Sequence, residues 1–276
     1  MNMLQQDKLN YTEPIQIADG IYWVGFADDK AGIHCHPYLI VDGAEAVLID
    51  GGSRDDFSTV MLKILRTGID PRNIRRLIYQ HFDPDLCGNL PHFEAIINSP
   101  ELKIISHREN NVFINYYSST SPKQCIETLG NAFEFSSGRR LEFIRTPYAH
   151  SPGSFVTYDC QTRTLFTSDI FGSYDSNWNL YLRLLDECAD CSPQETCPLT
   201  QQECTLAKIL NFHQRIMTSS KALRYALEQI EKLDIALIAP QHGSLIVSEK
   251  DRKTVIKQLK SLENVGIDYY LQGIFK

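Results

Sequence analysis

Apolar residues along this chain follow two periods, and the points where the period changes mark the elements. Residues 15–17 and 21–24 are short apolar runs on either side of Ala18-Asp19-Gly20. An Asp-Gly pair between two such runs predicts a β-hairpin. Residues 37–41 and 46–49 repeat that arrangement around Asp42-Gly43. From Ser53 the period lengthens. Phe57, Val60, Met61, Ile64 and Leu65 fall on one helical face, with Ser53 placed to cap the helix and Gly68 to stop it. Asp70-Pro71 opens a short helical turn before an apolar strand that ends at Tyr79. Residues 90–98 read as a helix closed by Ser99-Pro100, and residues 103–106 as a strand. Residues 109–135 read as mainly helical around a loop at 118–122.

The second half continues in the same way. Residues 141–145, 154–158, 164–168 and 235–239 read as strands, and 205–217, 221–233 and 248–262 as helices. Strands and helices in this order predict an α/β protein, two packed sheets with outer helices. One stretch breaks the pattern. Residues 171–202 are polar and cysteine-rich, and loops of that length are uncommon unless functional. There is no sequence repeat, linker or low-complexity tail. The expectation is a single domain over residues 1–276 with a cysteine-rich insert at about 171–204.

Composition narrows the function classes. An apolar share of 43% supports a sizeable core, and the net charge of −7 gives no general attraction to a nucleic-acid polymer. Residues 1–7 lack the apolar stretch of an export signal. No apolar run approaches the ~20 residues needed to span a bilayer. The expectation is a cytoplasmic protein away from the membrane. In that reducing compartment, eight cysteines suggest metal binding rather than disulfides.

The candidate chemistry sits where strands stop. The run Leu77-Ile78-Tyr79 ends in Gln80-His81-Phe82-Asp83-Pro84-Asp85, an H-x-D-x-D pattern. His150 follows the strand at 141–145, Asp169 the strand at 164–168, and His242 the strand at 235–239. Each has an ordinary reading by itself: a turn residue, a helix cap, a loop histidine. Together, four strand ends deliver three imidazoles and three carboxylates, which is a donor set for two metal ions. So hard a set favours Fe, with Mn or Zn as alternatives.

The order of these residues resembles the metallo-β-lactamase fold and, more closely, its flavodiiron branch. The likeness covers roughly residues 12–265, including Leu48-Ile49-Asp50-Gly51-Gly52 and Ala239-Pro240-Gln241-His242-Gly243. It implies an αββα sandwich. By that resemblance His81, Asp83 and His150 hold one metal, Asp85 and His242 hold the second, and Asp169 bridges them. Three departures stand out: Asp83 replaces a Glu, Leu86 replaces a His, and no flavodoxin domain follows. The variant H-x-D-P-D, with Phe212-His213-Gln214-Arg215-Ile216-Met217 downstream, resembles the stand-alone oxygen-binding diiron proteins. The resemblance therefore implies two Fe ions and O₂ or another small diatomic ligand. The role would be that of an oxygen sensor or redox protein, with an electron-donor or signalling protein as partner and a homodimer as its assembly. Tyr79, Tyr148, Tyr174 and Tyr181 are candidate donors to bound oxygen. His36 or His34 are candidates for contacts just outside the ligands. The alternative is a dinuclear-metal phosphodiesterase acting on a cyclic dinucleotide such as cyclic di-GMP. Against it, no cluster of Arg or Lys lies beside the ligands in sequence, although Arg145 and Arg215 could approach them.

A second motif stands apart. Cys188, Cys191, Cys197 and Cys204 form C-x2-C-x5-C-x6-C inside the insert. Four thiols so spaced suit one Zn ion or an iron–sulfur cluster. The competing readings are reduced thiols in a loop, or disulfides. A cluster here would offer a route for electrons in place of a flavin.

Overall fold

The computed structural model describes residues 9–26, 33–117, 119–175 and 178–272. Residues 1–7, expected to carry no export signal, and Ser118, at the start of the expected 118–122 loop, lie outside the described residues. Contacts divide the chain into two compact units. Of the described residues, those within 9–26 and 35–139 make up one, and those within 33–34 and 140–272 the other.

The first unit is built on a seven-stranded sheet in sequence order. Its first four strands, β1 (Ile15–Ala18), β2 (Ile21–Trp23), β3 (Tyr38–Asp42) and β4 (Glu45–Ile49), pair antiparallel, as the two Asp-Gly turns require. Helix α1 (Phe57–Arg66) then crosses to β5 (Ile74–Ile78), which pairs parallel to β4. Short helices α2 (Pro84–Cys87) and α3 (Leu90–Ile97) lead to β6 (Lys103–Ser106), also parallel. Helix α1 buries Val60, Met61 and Ile64 as its spacing predicts, but Leu65 is half exposed and Lys63 is buried instead. The Lys63 ammonium donates to the Gly25 carbonyl and sits 3.9 Å over the Trp23 ring. Those two contacts replace part of the hydration lost on burial.

The expected helical stretch at 109–135 is corrected. Only α4 (Arg108–Ile114) is α-helical. It is followed by β7 (Lys123–Cys125), parallel to β6, and β8 (Ala132–Glu134). A three-residue edge strand of intermediate burial has no period long enough to betray it.

The second unit carries strands β9 (Arg140–Arg145), β10 (Phe155–Asp159), β11 (Thr164–Phe166) and β12 (Leu237–Ala239). The first three pair antiparallel and β12 adds parallel to β11. Helices α5 (Thr205–Ile216), α6 (Ser220–Ile230) and α7 (Glu249–Lys260) pack into one apolar core with these strands, and α8 (Ile267–Leu271) follows. The insert is less irregular than its composition suggests. Trp178, Leu180 and Leu182 are buried, and residues 180–182 exchange backbone hydrogen bonds with Leu245. Leu185 and Leu199 remain outside. Among the described residues, no helix is long and apolar enough to cross a membrane.

Candidate metal centre

In the first unit the site grows from the end of β5. This strand is hydrogen-bonded on both sides, so its end is fixed. His81 follows, buried, and Asp83 then caps α2 through its backbone, its carbonyl accepting from the Leu86 and Cys87 N–H groups. Pro84 takes the first helical position, where its missing N–H costs nothing. This tight turn folds Asp83 and Asp85 back toward His81. Donor atoms of the three residues all lie within 4.8 Å of one another, with Asp83 Oδ2 3.7 Å from His81 Nε2. The Gln80 segment is braced by Asp50, whose carboxylate accepts from the Gln80 backbone N–H at 3.1 Å and its side-chain amide at 3.2 Å. Asp50 itself takes a left-handed φ of 54° just before Gly51-Gly52. A non-glycine residue in that region is held there by its surroundings.

Leu86 stands where the flavodiiron pattern has a histidine. It is fully buried in the apolar core of this unit, and its carbonyl accepts the Gly51 N–H at 2.8 Å. An imidazole there would have to leave that core. The structure offers a different donor, which the sequence reading passed over. Cys35 Sγ lies within 4.8 Å of an Asp85 carboxylate oxygen. Its sequence signal is the His34-Cys35-His36 tripeptide just ahead of β3.

In the second unit, Asp169 is the centre. It is buried and follows β11 after Ser168, which takes a left-handed φ of 51°, and Phe171 takes another of 72°. The two left-handed residues tighten the turn around the carboxylate. Its Oδ2 is 2.7 Å from His150 Nε2 and its Oδ1 is 3.8 Å from His242 Nε2. The His242 Nδ1–H donates to the His34 carbonyl at 2.8 Å, which turns Nε2 toward Asp169. His213, buried on α5, holds the turn from beneath. Its Nε2 accepts the Phe171 N–H at 2.9 Å, so its Nδ1–H donates to the Ile209 carbonyl at 2.7 Å. Burial lowers its pKa from 6.5 to about 4, so it is a neutral imidazole.

The remaining named residues fall out as follows. Tyr79 is fully buried in the core of the first unit, and burial pushes its hydroxyl pKa well up. Tyr148 is half exposed at a left-handed φ of 62°, with its carbonyl accepting from Thr218. The Tyr174 ring lies 5.0 Å from that of Phe212, and the Arg215 guanidinium lies over the Tyr174 ring at 5.3 Å. Burial raises the Tyr174 pKa, and both His242 and Asp169 are near enough to bear on it. His36 Nδ1 accepts the Trp23 indole N–H at 2.9 Å. The His34 ring stacks on Trp178 and donates from Nε2 to the Asp175 carbonyl. The four insert cysteines fall in their own segment of the sequence, within the second unit.

Residues 33–243 match the family model described as ODP family beta lactamase. A structure described as the apo state of the chemotaxis sensor ODP from T. denticola superposes with a TM-score of 0.74 at 25% identity, covering 94% of this chain and 97% of that one. The flavodiiron protein from Giardia intestinalis superposes with a TM-score of 0.73 at 18% identity, over 92% of this chain and 60% of that one. Among curated proteins, the type A flavoprotein fprA of Rhodobacter capsulatus is 25% identical over 264 residues, which is 91% of this chain and 56% of that protein. The chain spans between 24% and 60% of the length of such curated relatives. The expected metallo-β-lactamase-like α/β fold is borne out by these matches.

Proposed function

The chain belongs to the ODP family beta lactamases, and on that premise we propose that it is a non-haem diiron protein that binds or reduces O₂. We read the two units as one metallo-β-lactamase-like domain in which His81, Asp83, Asp85, His150, Asp169 and His242 serve two irons. The observation that carries this reading is Asp169. One carboxylate oxygen meets His150 Nε2 and the other faces His242 Nε2, both on buried or half-buried ground. That is how a carboxylate bridging two metals is laid out. The donor chemistry fits as well, since three carboxylates and three imidazoles suit iron better than zinc.

When bound, the iron pair would supply electrons and open positions for a diatomic ligand. The chain's own residues do the rest. Asp50 fixes the Gln80-His81 turn, and His34 and His213 fix His242 and the Asp169 turn through backbone atoms. Burial raises the Tyr174 pKa, so this side chain keeps its proton and is the proposed hydrogen-bond donor to the bound ligand. Cys35 beside Asp85 is a thiolate donor for the metal whose histidine is replaced by Leu86. Mn and Zn are the competing ions.

Two roles fit a relative described as a chemotaxis sensor and another described as flavodiiron. Binding alone makes a sensor with a signalling partner, and turnover makes a reductase fed by an electron-donor protein. A cytoplasmic homodimer is part of the same proposal. The phosphodiesterase alternative asks for cations at the ligands, and Arg215 is taken up by Tyr174 and Tyr270. The test is anaerobic iron loading followed by a measured addition of O₂. The reading expects a new visible absorption and O₂ uptake that both depend on Asp169. A colourless two-zinc protein, indifferent to air but cleaving a cyclic dinucleotide, would overturn it.

A further inference from the structure

A group of four cysteines takes no part in the site just described. All eight cysteines of the chain are reduced, yet Cys188, Cys191, Cys197 and Cys204 alone share one segment. Cys188 sits in a short 3₁₀ turn (Asp186–Ala189), and the chain bends back so that Cys191 Sγ meets the Cys188 carbonyl at 3.6 Å. The other pair is clasped by a small ladder. Thr196 bridges Glu203, the Cys197 N–H donates to the Gln202 carbonyl at 2.7 Å, and the Cys204 N–H donates to the Glu195 carbonyl at 2.9 Å. Thus a C-x2-C turn is followed by a second clasp, although six residues separate the two cysteines of that clasp.

Charge on Cys191, Cys197 or Cys204 would each be felt at Cys188, and Cys191 senses Cys197 and Cys204 likewise. Backbone N–H groups of Leu199 and Thr200 point at the Cys197 sulfur. Such donors toward sulfur offset the negative charge that metal-bound thiolates carry. Cys204 is the N-cap of α5, a twelve-residue helix. Helix α7 also holds the segment. Lys257 donates to the Ala189 carbonyl and to Asp190, Gln258 donates to the Cys191 carbonyl at 3.0 Å, and Lys250 pairs with Asp186 beside Cys188. Cys204 belongs to the core of the unit and the other three pack against it. The segment is therefore pinned at its backbone, with all four cysteines in or against one core.

We infer that Cys188, Cys191, Cys197 and Cys204 form a tetrathiolate centre for a soft metal, independent of the six His and Asp residues. Two occupants share that chemistry: a single Zn²⁺ and an iron–sulfur cluster. Among the described residues, no three of these sulfurs close to within 4.8 Å. A zinc tetrathiolate, with Zn–S bonds of about 2.3 Å, has sulfurs about 3.8 Å apart and would draw them together. A cluster bridges thiolates at wider spacing and would need less movement.

The test starts from full-length protein purified anaerobically and analysed for zinc, iron and acid-labile sulfide. The parent protein and its Asp169→Ala variant should both keep either one zinc or a sulfide-containing cluster with visible absorption. Cys191→Ser should lose it. Because Cys191→Ser could fail to fold, a second measurement uses the unchanged chain. Each cysteine is alkylated with iodoacetamide, with and without the metal stripped by a chelator, and read by mass spectrometry. Cys188, Cys191, Cys197 and Cys204 should react at least about tenfold more slowly with metal bound, as thiolate ligands are withheld from the reagent. Equal rates with and without metal at these four, or no zinc or sulfide in the Asp169→Ala protein, overturns the inference. Neither result depends on whether the six His and Asp residues hold iron.

Discussion

Replacing His213 by Leu should change the acid response of the fold in a calculable way. The buried ring accepts the Phe171 N–H and is neutral, its pKa pushed down from 6.5 to about 4. Between those values the unfolded chain takes up a proton that the folded chain refuses. Stability therefore rises with pH across that window and is lost as the pH falls through it. The whole window is worth roughly 3 kcal/mol at 1.36 kcal/mol per pH unit. At pH 5, the linkage relation gives a loss of about 2 kcal/mol relative to pH 7.5. The Leu variant has no such proton to refuse, but it leaves the Phe171 N–H without its acceptor at a cost of about 1 to 3 kcal/mol. Urea unfolding of the metal-free proteins at pH 7.5 and pH 5 separates the two effects. The variant should start lower at pH 7.5, and its further loss at pH 5 should be about 2 kcal/mol smaller than the parent's. Equal losses in the two proteins would mean that His213 is not the buried neutral ring described here.

Three further outcomes follow from single residues. Lys63 has its pKa lowered to about 8 by burial, so the unfolded chain holds the extra proton above that value. The protein should gain about 2 kcal/mol between pH 8 and pH 10, and Lys63→Met should flatten that rise in denaturant titrations. Gly266 takes a φ of +66°, and an added Cβ would press on backbone carbonyls, Met217 O at 2.7 Å among them. Gly266→Ala should therefore cost about 2 to 4 kcal/mol in unfolding experiments; a loss below about 1 kcal/mol would contradict the packing at that turn. Cys35→Ser should abolish sulfur-to-iron absorption in the iron-loaded, oxidised protein, and an unchanged spectrum would remove Cys35 from the ligands.

How much of this was legible in the sequence depended on the range of the interactions. Strands β4, β5, β9, β11 and β12 announce themselves as apolar runs, and His81, Asp83, Asp85, His150, Asp169 and His242 stand at or just beyond the ends of four of them. Periodicity is local, and these signals are local. One miss is local, since the three-residue strands at 123–125 and 132–134 are too short to show a period, and the others are non-local. Lys63 is buried because Gly25 and Trp23 come to meet it, and nothing in the helical period tells it from an exposed lysine. Residues 180–182 are ordered by Leu245, more than sixty residues away. His213 acts on a backbone N–H 42 positions earlier, so a helical histidine near other apolar residues reads only as part of a face. Cys35 becomes a donor beside Asp85 only once β3 and α2 are in place.

The central claim, two irons sharing Asp169, is met most directly by counting metal. Parent, Asp169→Ala and His150→Ala proteins are loaded with ferrous iron without air, freed of excess, and analysed for iron per chain. With any sulfide-associated iron subtracted, the account predicts about two irons in the parent, near none in Asp169→Ala, and about one in His150→Ala. Unchanged iron in Asp169→Ala would contradict the bridge, and one iron or none in the parent would contradict the dinuclear centre itself.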